Sequence, residues 1–577
     1  MVRRVAVVGA GCSGLACVKI CVEEGLEPVC FESTDDIGGL WRFKDSREKE
    51  QPSIYRSLVT NTSKEMMCFS DFPMPDHFPN YLHNTQVLHY LRLFVQHFHL
   101  LKYFQFQTRV KNVVPRPDFS ESGQWEVVTT SSSGEETRHI FDGVLVCSGQ
   151  YNRPAVPLTD FTGYATFAGQ CLHSWEYKDA EAFRGKRVVI VGIGNSGGDI
   201  AVEVSRVASK TFLSTRKGVW VMGRTLTRGL PVDLTSITRL NNILTNLPVR
   251  SLVNSWIEGK LNHTFDHGLY GLKPAYRFMD RKPLINDDLP GRILQGALVV
   301  KPNVKEFNGS AVLFEDGSEE KDVDAVVFCT GYRAAYRFLP VSLTDGPAHE
   351  LQLYRKMFFP ALHPPTLAVM GLFHVNGPNM PIMELQARWA VKVFTGLSRL
   401  PSKDEMLAVI ARDKSMYTRS WRLDWDHFQV KCDIRLPLLC SYPDCEASLR
   451  VEYIPYMDFL AGEIGVRPNL LRLVLTDPTL WLKVFFGPCT PFQYRLCGPG
   501  RWAGARQAIL TQWHRVAEPF RGGVRLEPEE TQGFHVTPWL LRIGVLLIVA
   551  HVLSKHKSIL MLQVRLTQCL DQLRGVA

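Results

Sequence analysis

Two stretches of this chain repeat one design: a short apolar run, three spaced glycines, a helical stretch, and a second apolar run leading to a charged residue. The first is Val5-Ala-Val-Val-Gly9-Ala10-Gly11-Cys12-Ser13-Gly14, closing at Glu32; the second is Arg187-Val-Val-Ile-Val-Gly192-Ile-Gly194-Asn-Ser196-Gly197, closing at Arg216-Lys217. The charged residue follows the first glycine by 23 positions in one case and 24 in the other. Glycines so spaced allow a tight strand-to-helix turn, a close approach of backbone to a pyrophosphate, and close packing of helix on strand. The helix N-terminus then offers the phosphates unpaired N–H groups and the positive end of its dipole. The chain is therefore predicted to be α/β, with two Rossmann-like βαβ units.

The charged residues set the two units apart. Glu32 can accept hydrogen bonds from a ribose hydroxyl and repels a 2′-phosphate, so the first unit suits FAD or NAD. Arg216 and Lys217 attract that phosphate, so the second suits NADPH. One of each implies a flavoenzyme. The rest of the composition fits a globular protein, with 45% hydrophobic and 21% charged residues. A net charge of +9, spread along the chain, suits an anionic cofactor or membrane surface and not a nucleic acid. The 14 cysteines include no Cys-x-x-Cys, which argues against a zinc site and against a disulfide reductase, and favours reduced thiols.

The first unit reads as strand Arg4–Val8, helix Ser13–Glu24 and strand Glu27–Glu32, followed by the tight turn Gly38-Gly39-Leu40-Trp41. Ser131–Thr137 reads as a hairpin tip, and Phe141–Gly149 as a strand ending in small residues. In the second unit, Lys186–Val191 is a strand and Ser196–Val207 a helix. Asp324–Tyr332 echoes the Asp142–Gly149 strand, and between lies a less regular region, Arg224–Gly296.

Between the fingerprints stands Phe167-Ala-Gly169-Gln-Cys-Leu-His173-Ser-Trp-Glu-Tyr177. With Glu32–Arg42, Thr60-Asn61-Thr62-Ser63-Lys64, Asn286-Asp-Asp-Leu-Pro290 and Thr330-Gly-Tyr332, it resembles the flavin-containing monooxygenases of the vertebrate microsomal, dimethylaniline N-oxide-forming type. The resemblance spans nearly the whole chain. It implies FAD and NADPH as cofactors, and O2 and small soft nucleophiles (amines, sulfides, xenobiotics) as substrates. Such enzymes form a flavin C4a-hydroperoxide that gives one oxygen to substrate and one to water. The cofactor carries that chemistry, which agrees with the lack of a catalytic triad, paired carboxylates or a metal cluster in the sequence.

Carried over by motif, Gly9, Ala10, Gly11, Cys12, Ser13, Gly14, Glu32, Leu40, Trp41, Asn61 and Thr62 are expected at FAD. Thr60, Asn61, Gly192, Gly194, Ser196, Gly197, Gly198, Asp199 and Arg216 are expected at NADPH. Asn61 is the expected catalytic residue, an amide that donates to peroxide or nicotinamide without supplying an acidic proton. His173 is expected to link the two domains and not to act as a base. The segment His374–Pro381 departs from the family, having no glutamine where a glutamine-containing loop is expected. The competing activities are Baeyer–Villiger oxygenation of ketones, disfavoured by Tyr177 where ketone oxygenases carry Trp, an uncoupled NADPH oxidase releasing hydrogen peroxide, and an FAD binder without turnover.

The resemblance also implies an organisation. Residues 1–154 and 331–445 form the FAD domain, and 155–330 form an NADPH domain inserted in it, itself interrupted at about 224–296. Residues 446–535 form a helical region and 536–577 a membrane-associating tail. The tail holds the apolar run Pro538–Leu553, followed by Lys555, His556 and Lys557. At 16 residues it is short of the ~20 that span a bilayer, so spanning and interfacial attachment both stay open. The expected location is the endoplasmic reticulum membrane with cytosolic catalytic domains, and a homo-oligomer is possible.

Overall fold

The computed structural model describes residues 2–45, 51–156, 161–225, 227–246, 250–344, 351–414 and 449–521. Contacts divide the chain into Met1–Pro519 and Phe520–Ala577. The Pro538–Leu553 run lies outside the described residues. Among those described, no helix is long and apolar enough to cross a membrane.

Two five-stranded parallel sheets organise the larger unit. In the first, the strands run in the order Leu367–Val369, Gly143–Val146, Arg4–Val8, Glu27–Phe31, Phe104–Gln105. In the second, the order is Leu298–Lys301, Lys210–Ser214, Arg187–Val191, Ala325–Phe328, Gln170–His173. The innermost strands are apolar on both faces: Val5, Ala6 and Val7, like Val188, Val189 and Ile190, are wholly buried. A parallel sheet covered on both sides requires such runs, and each buried Val or Ile contributes about 1.5–3 kcal/mol.

The two halves match in detail. Arg4–Val8 pairs in parallel with Gly143–Val146, and Arg187–Val191 with Ala325–Phe328. Each of those partners is immediately preceded by a three-stranded antiparallel sheet, spanning Thr108–Phe141 in one half and Val304–Glu320 in the other. The hairpin tip expected at Ser131–Thr137 joins Trp125–Ser131 to Glu136–Phe141. The strand expected from Phe141 thus begins two residues later, because Phe141 still belongs to this meander. The last strand of the first sheet, Leu367–Val369, follows every strand of the second in sequence. Where the chain passes between sheets, Arg153–Pro154 and Tyr332–Arg333 lie side by side, antiparallel.

Helix Cys12–Glu23 covers the first sheet and packs on helix Met380–Phe394. Behind them buried charges neutralise one another. Arg495 pairs with Glu384 at 2.6 Å and with Asp71 at 2.8 Å, and Lys19 also pairs with Asp71. Ions so buried need such partners, since an unpaired one is strongly destabilising. The region Arg224–Gly296 is more regular than its sequence suggests and contains helices Val232–Ser236, Arg239–Asn246, Arg250–Thr264 and Leu289–Leu294.

Candidate active site

The two glycine turns are superposable in their chemistry. Gly9 and Gly192 both take φ +104°, open only to glycine at low cost, and a Cβ on either would lie 2.8 Å from the Cys147 carbonyl oxygen or 2.6 Å from that of Cys329. A Cβ at Gly14 would meet the Gly9 oxygen at 1.9 Å, and one at Gly197 the Gly192 oxygen at 2.0 Å. These are the contacts that seat each helix on its strand. The middle glycines differ: at Gly194 nothing lies within 4 Å of an added Cβ, and at Gly11 only the Gly39 Cα, at 3.8 Å. Each helix N-terminus therefore faces open space, bounded by backbone N–H groups, where a pyrophosphate fits.

Glu32 is fixed before any ribose arrives. Its Oε2 accepts the Ala10 N–H at 2.8 Å and its Oε1 the Thr34 N–H at 2.9 Å. Gly38 donates to the Ala10 carbonyl at 3.0 Å, which lays the Gly39–Trp41 turn over Gly11 and brings Leu40 and Trp41 to the first seat. Gly371, unmarked in the sequence, closes the other side: a Cβ there would stand 2.7 Å from the Ser13 hydroxyl, and its N–H is held by Gln386 at 2.9 Å. Two buried atoms beside this seat, Ser148 Oγ and Gln150 Oε1, have no hydrogen-bond partner among the described residues. They follow the strand whose end abuts Gly9, at the carboxyl edge where parallel sheets bind ligands. The open cradle and these polar atoms fit FAD; the second cradle fits a nicotinamide dinucleotide.

Asn61 and its neighbours Thr60 and Thr62 lie near the second half through a residue that sequence reasoning missed. Arg224 donates from Nη2 to Asn61 Oδ1 at 2.8 Å, from Nε to the Thr60 carbonyl at 3.2 Å, and pairs with Asp287 at 2.8 Å. Asp233, also from the 224–296 region, accepts the Ser63 N–H at 2.6 Å. The Asn286-Asp-Asp motif gains distinct tasks: Asn286 donates to Asp199 at 2.8 Å, Asp287 holds Arg224, and Asp288 pairs with Arg206. Asp199, expected at NADPH, is also engaged by protein. Tyr55 donates to it at 2.6 Å, and burial pushes its carboxyl up from the usual range. Ser196 opens the Asn195–Val204 helix at the second seat, and Gly198 packs against Leu284. Arg216 stands exposed just beyond strand Lys210–Ser214.

His173 packs edge-on against Tyr332, with ring centres 5.2 Å apart, at the crossing between the sheets. Burial pushes it down to about 4, so it is neutral at pH 7, and its Nδ1 accepts the Trp175 N–H. His374, in the segment lacking the expected glutamine, is likewise pushed down to about 4, by burial and then by Lys282. Among the described residues no cluster of metal ligands occurs.

Two parallel sheets, two glycine-lined phosphate seats, and a polar loop tied to the second half by Arg224 and Asp233 fit a two-dinucleotide flavoprotein oxidoreductase. Comparison with known proteins narrows this. The family model for flavin-binding monooxygenase-like proteins matches residues 2–555. Flavin-containing monooxygenase 5 of Oryctolagus cuniculus is 50% identical over 90% of this chain and 93% of its own. Dimethylaniline monooxygenase [N-oxide-forming] 2 of Mus musculus is 48% identical over 90% and 94%. The chain belongs to the flavin-binding monooxygenase family; it is a monooxygenase, and its cofactors are FAD and NADPH. The fold is shared with S-allyl-L-cysteine S-oxygenase of Allium sativum (TM-score 0.60, 22% identical, covering 90% of this chain and 99% of that one). It is shared too with NADP+-bound cyclohexanone monooxygenase of Rhodococcus (TM-score 0.55, 17% identical, covering 81% and 98%).

Gly14→Ala forces a methyl into the Gly9 oxygen, so the purified variant is expected to carry no flavin absorbance. Gly197→Ala is expected to keep its flavin but to lose reduction by NADPH, measured as anaerobic bleaching. The second prediction concerns Asp233, whose carboxyl burial pushes up to about 6, against the pull of the Ser63 and Leu234 N–H groups. A carboxyl whose folded pKa exceeds its unfolded value adds stability below the unfolded pKa and loses it as pH rises through the folded one. Thermal melts of wild type and Asp233→Asn should therefore diverge between about pH 4 and 6 in favour of the variant, by about 3 kcal/mol, and run parallel above. Parallel melts throughout would show that Asp233 does not titrate there.

Proposed function

We propose that this enzyme oxygenates soft nucleophiles, the nitrogen of amines and the sulfur of sulfides, using NADPH. The observation that carries the reading is Asn61, held at its carbonyl by Arg224 so that its amide N–H groups make no bond to protein among the described residues. It is a neutral hydrogen-bond donor whose orientation is fixed by Arg224.

In this reading residues 1–154 and 331–445 hold FAD through Gly9, Ala10, Gly11, Cys12, Ser13, Gly14, Leu40 and Trp41, with Glu32 on the ribose. Residues 155–330, inserted in the FAD domain and interrupted at about 224–296, hold NADPH through Gly192, Gly194, Ser196, Gly197 and Gly198. Arg216 takes the 2′-phosphate, and Asp199 acts one step back, through Tyr55 and Asn286. Bound flavin supplies hydride acceptance and the activation of O2. The protein's share is to hold Thr60, Asn61 and Thr62 at the reacting edge, to donate from the Asn61 amide, and to offer no acidic proton there. His173 is neutral and packs at the crossing, which suits a link between domains better than a base. Residues 446–535 form a C-terminal helical region and 536–577 an attachment to the endoplasmic reticulum membrane, with the catalytic domains in the cytosol. The name of one relative, an N-oxide-forming dimethylaniline monooxygenase, supports the N-oxide chemistry.

The test is to reduce the purified flavoprotein with NADPH, admit O2 and follow the absorbance. A long-lived species discharged by a sulfide or tertiary amine is expected. Discharge by a ketone alone would replace this reading with Baeyer–Villiger oxygenation. Prompt reoxidation with one hydrogen peroxide per NADPH would make it an oxidase, and no reduction at all a binder. In steady state, Arg216→Ala is expected to raise the NADPH requirement at least about tenfold and the NADH requirement little, since a charged hydrogen bond is worth about 1.5–3 kcal/mol. An unchanged preference removes Arg216 from the phosphate.

A further inference from the structure

We infer that Arg224 is the positioning residue of the oxygenation reaction, and that it works by fixing which end of the Asn61 amide faces the reacting groups. The inference rests on the role proposed above for Asn61 and adds the device that makes that role possible.

An amide is nearly symmetric in shape but opposite in chemistry at its two ends. Turned by a half-rotation, Asn61 would present an acceptor where a donor is needed. Side-chain packing alone distinguishes the two poses poorly, since the oxygen and the nitrogen are of similar size. A guanidinium does distinguish them, because it has only donors and cannot be deprotonated in proteins. With Arg224 Nη2 2.8 Å from the amide, the oxygen must face Arg224 and the two N–H groups must face away.

Arg224 is itself held at every donor that matters. Its Nε is spent on the Thr60 carbonyl at 3.2 Å and its Nη1 on Asp287 Oδ2 at 2.8 Å. Its own backbone is tied down too: its N–H donates to Asp287 Oδ1 at 2.8 Å, and its carbonyl accepts from the Tyr81 hydroxyl at 2.5 Å. The side chain is only 16% exposed. One planar fork thus grips the Thr60 backbone and the Asn61 side chain together, which a lysine, with a single nitrogen, cannot do at the same geometry.

The grip also crosses the architecture. Thr60 and Asn61 come from the part of the chain that builds the first sheet; Arg224 and Asp287 come from the part that follows the second glycine turn. The donor is oriented only when those two parts are correctly placed against each other. A second clasp from the same region, Asp233 on the Ser63 N–H, holds the far end of the loop without touching Asn61. This separates the two effects: losing Asp233 loosens the loop, whereas losing Arg224 frees the amide.

The experiment measures hydrogen peroxide released per NADPH oxidised, with a saturating sulfide, for the FAD-loaded wild type, Asn61→Ser, Arg224→Met, Arg224→Lys and the Asn61→Ser/Arg224→Met double variant. Methionine keeps length and removes every donor; lysine keeps a donor and serves if the methionine variant does not retain FAD. We expect Arg224→Met to raise the leak about tenfold, the size of one lost hydrogen bond of ~1.4 kcal/mol. Arg224→Lys should fall between it and wild type, and the double variant should leak no more than Asn61→Ser alone. If Asn61→Ser leaks but Arg224→Met couples normally, or if the two effects multiply in the double variant, Arg224 does not act through Asn61 and this inference fails by itself. A raised KM for NADPH with coupling intact overturns it equally, since that marks a cofactor contact. If Asn61→Ser couples like wild type, the reading of Asn61 falls and takes this inference with it.

Discussion

The whole molecule turns on one van der Waals constraint, imposed twice: a helix must begin within contact distance of the strand that feeds it. Gly14 against the Gly9 oxygen and Gly197 against the Gly192 oxygen leave no room for a single methyl. That closeness aims the helix N-terminus along the sheet edge and leaves Gly11 and Gly194 facing open space. A phosphate seat is thus a consequence of packing before it is a matter of recognition. The Cys147 and Cys329 carbonyls complete the constraint, one per half, each at the end of the neighbouring parallel strand. A dinucleotide fold built this way cannot relax around a larger residue without moving its core strands, where Val5, Val7, Val188 and Ile190 are already wholly buried.

Two seats alone make a carrier of cofactors; the reading proposed above puts the oxygenating donor on the Thr60–Ser63 loop, to which side chains of the 224–296 region reach back. Arg224 is partly buried and Asp233 wholly so, positions where a charge is costly unless paired, while Asp287 meets Arg224 from an exposed position. Asp233 accepts from two N–H groups, and these buried bonds are the ones that the interior strengthens. Tyr55 and Asn286 on Asp199 bind the same two parts of the chain a few residues away.

These layers were unequally legible in the sequence. The strands and helices of both glycine units stand within a residue or two of where periodicity puts them, except that the second helix ends at Val204 and not Val207. Steric rules there are local: glycine spacing and β-branched runs state their geometry outright. The resemblance supplied Asn61 but not its environment. Arg224 was visible only as the first residue of a region without clear periodicity, and Gly371 not at all. Their importance arises from partners more than 100 positions away, Asn61 and Ser13, and no local pattern encodes such a distance. Asp199 makes the same point: the resemblance puts it at NADPH, but its burial and its bonds to Tyr55 and Asn286 depend on partners that the fingerprint does not encode.

The same contrast separates the two charged residues proposed to read the cofactors. Glu32 is part of the first turn: its carboxylate receives the Ala10 N–H, inside the fingerprint, and the Thr34 N–H beyond it. Replacing it alters the shape of the seat as well as its charge, so rejection of a 2′-phosphate is built into the fold of that half. Arg216 stands exposed beyond its strand, on a loop that the glycine turn does not need. Charge there can change without disturbing Gly192, Gly194 or Gly197. On the reading proposed above, the duplicated scaffold carries one selectivity tied to its own packing, at Glu32, and one that is adjustable, at Arg216.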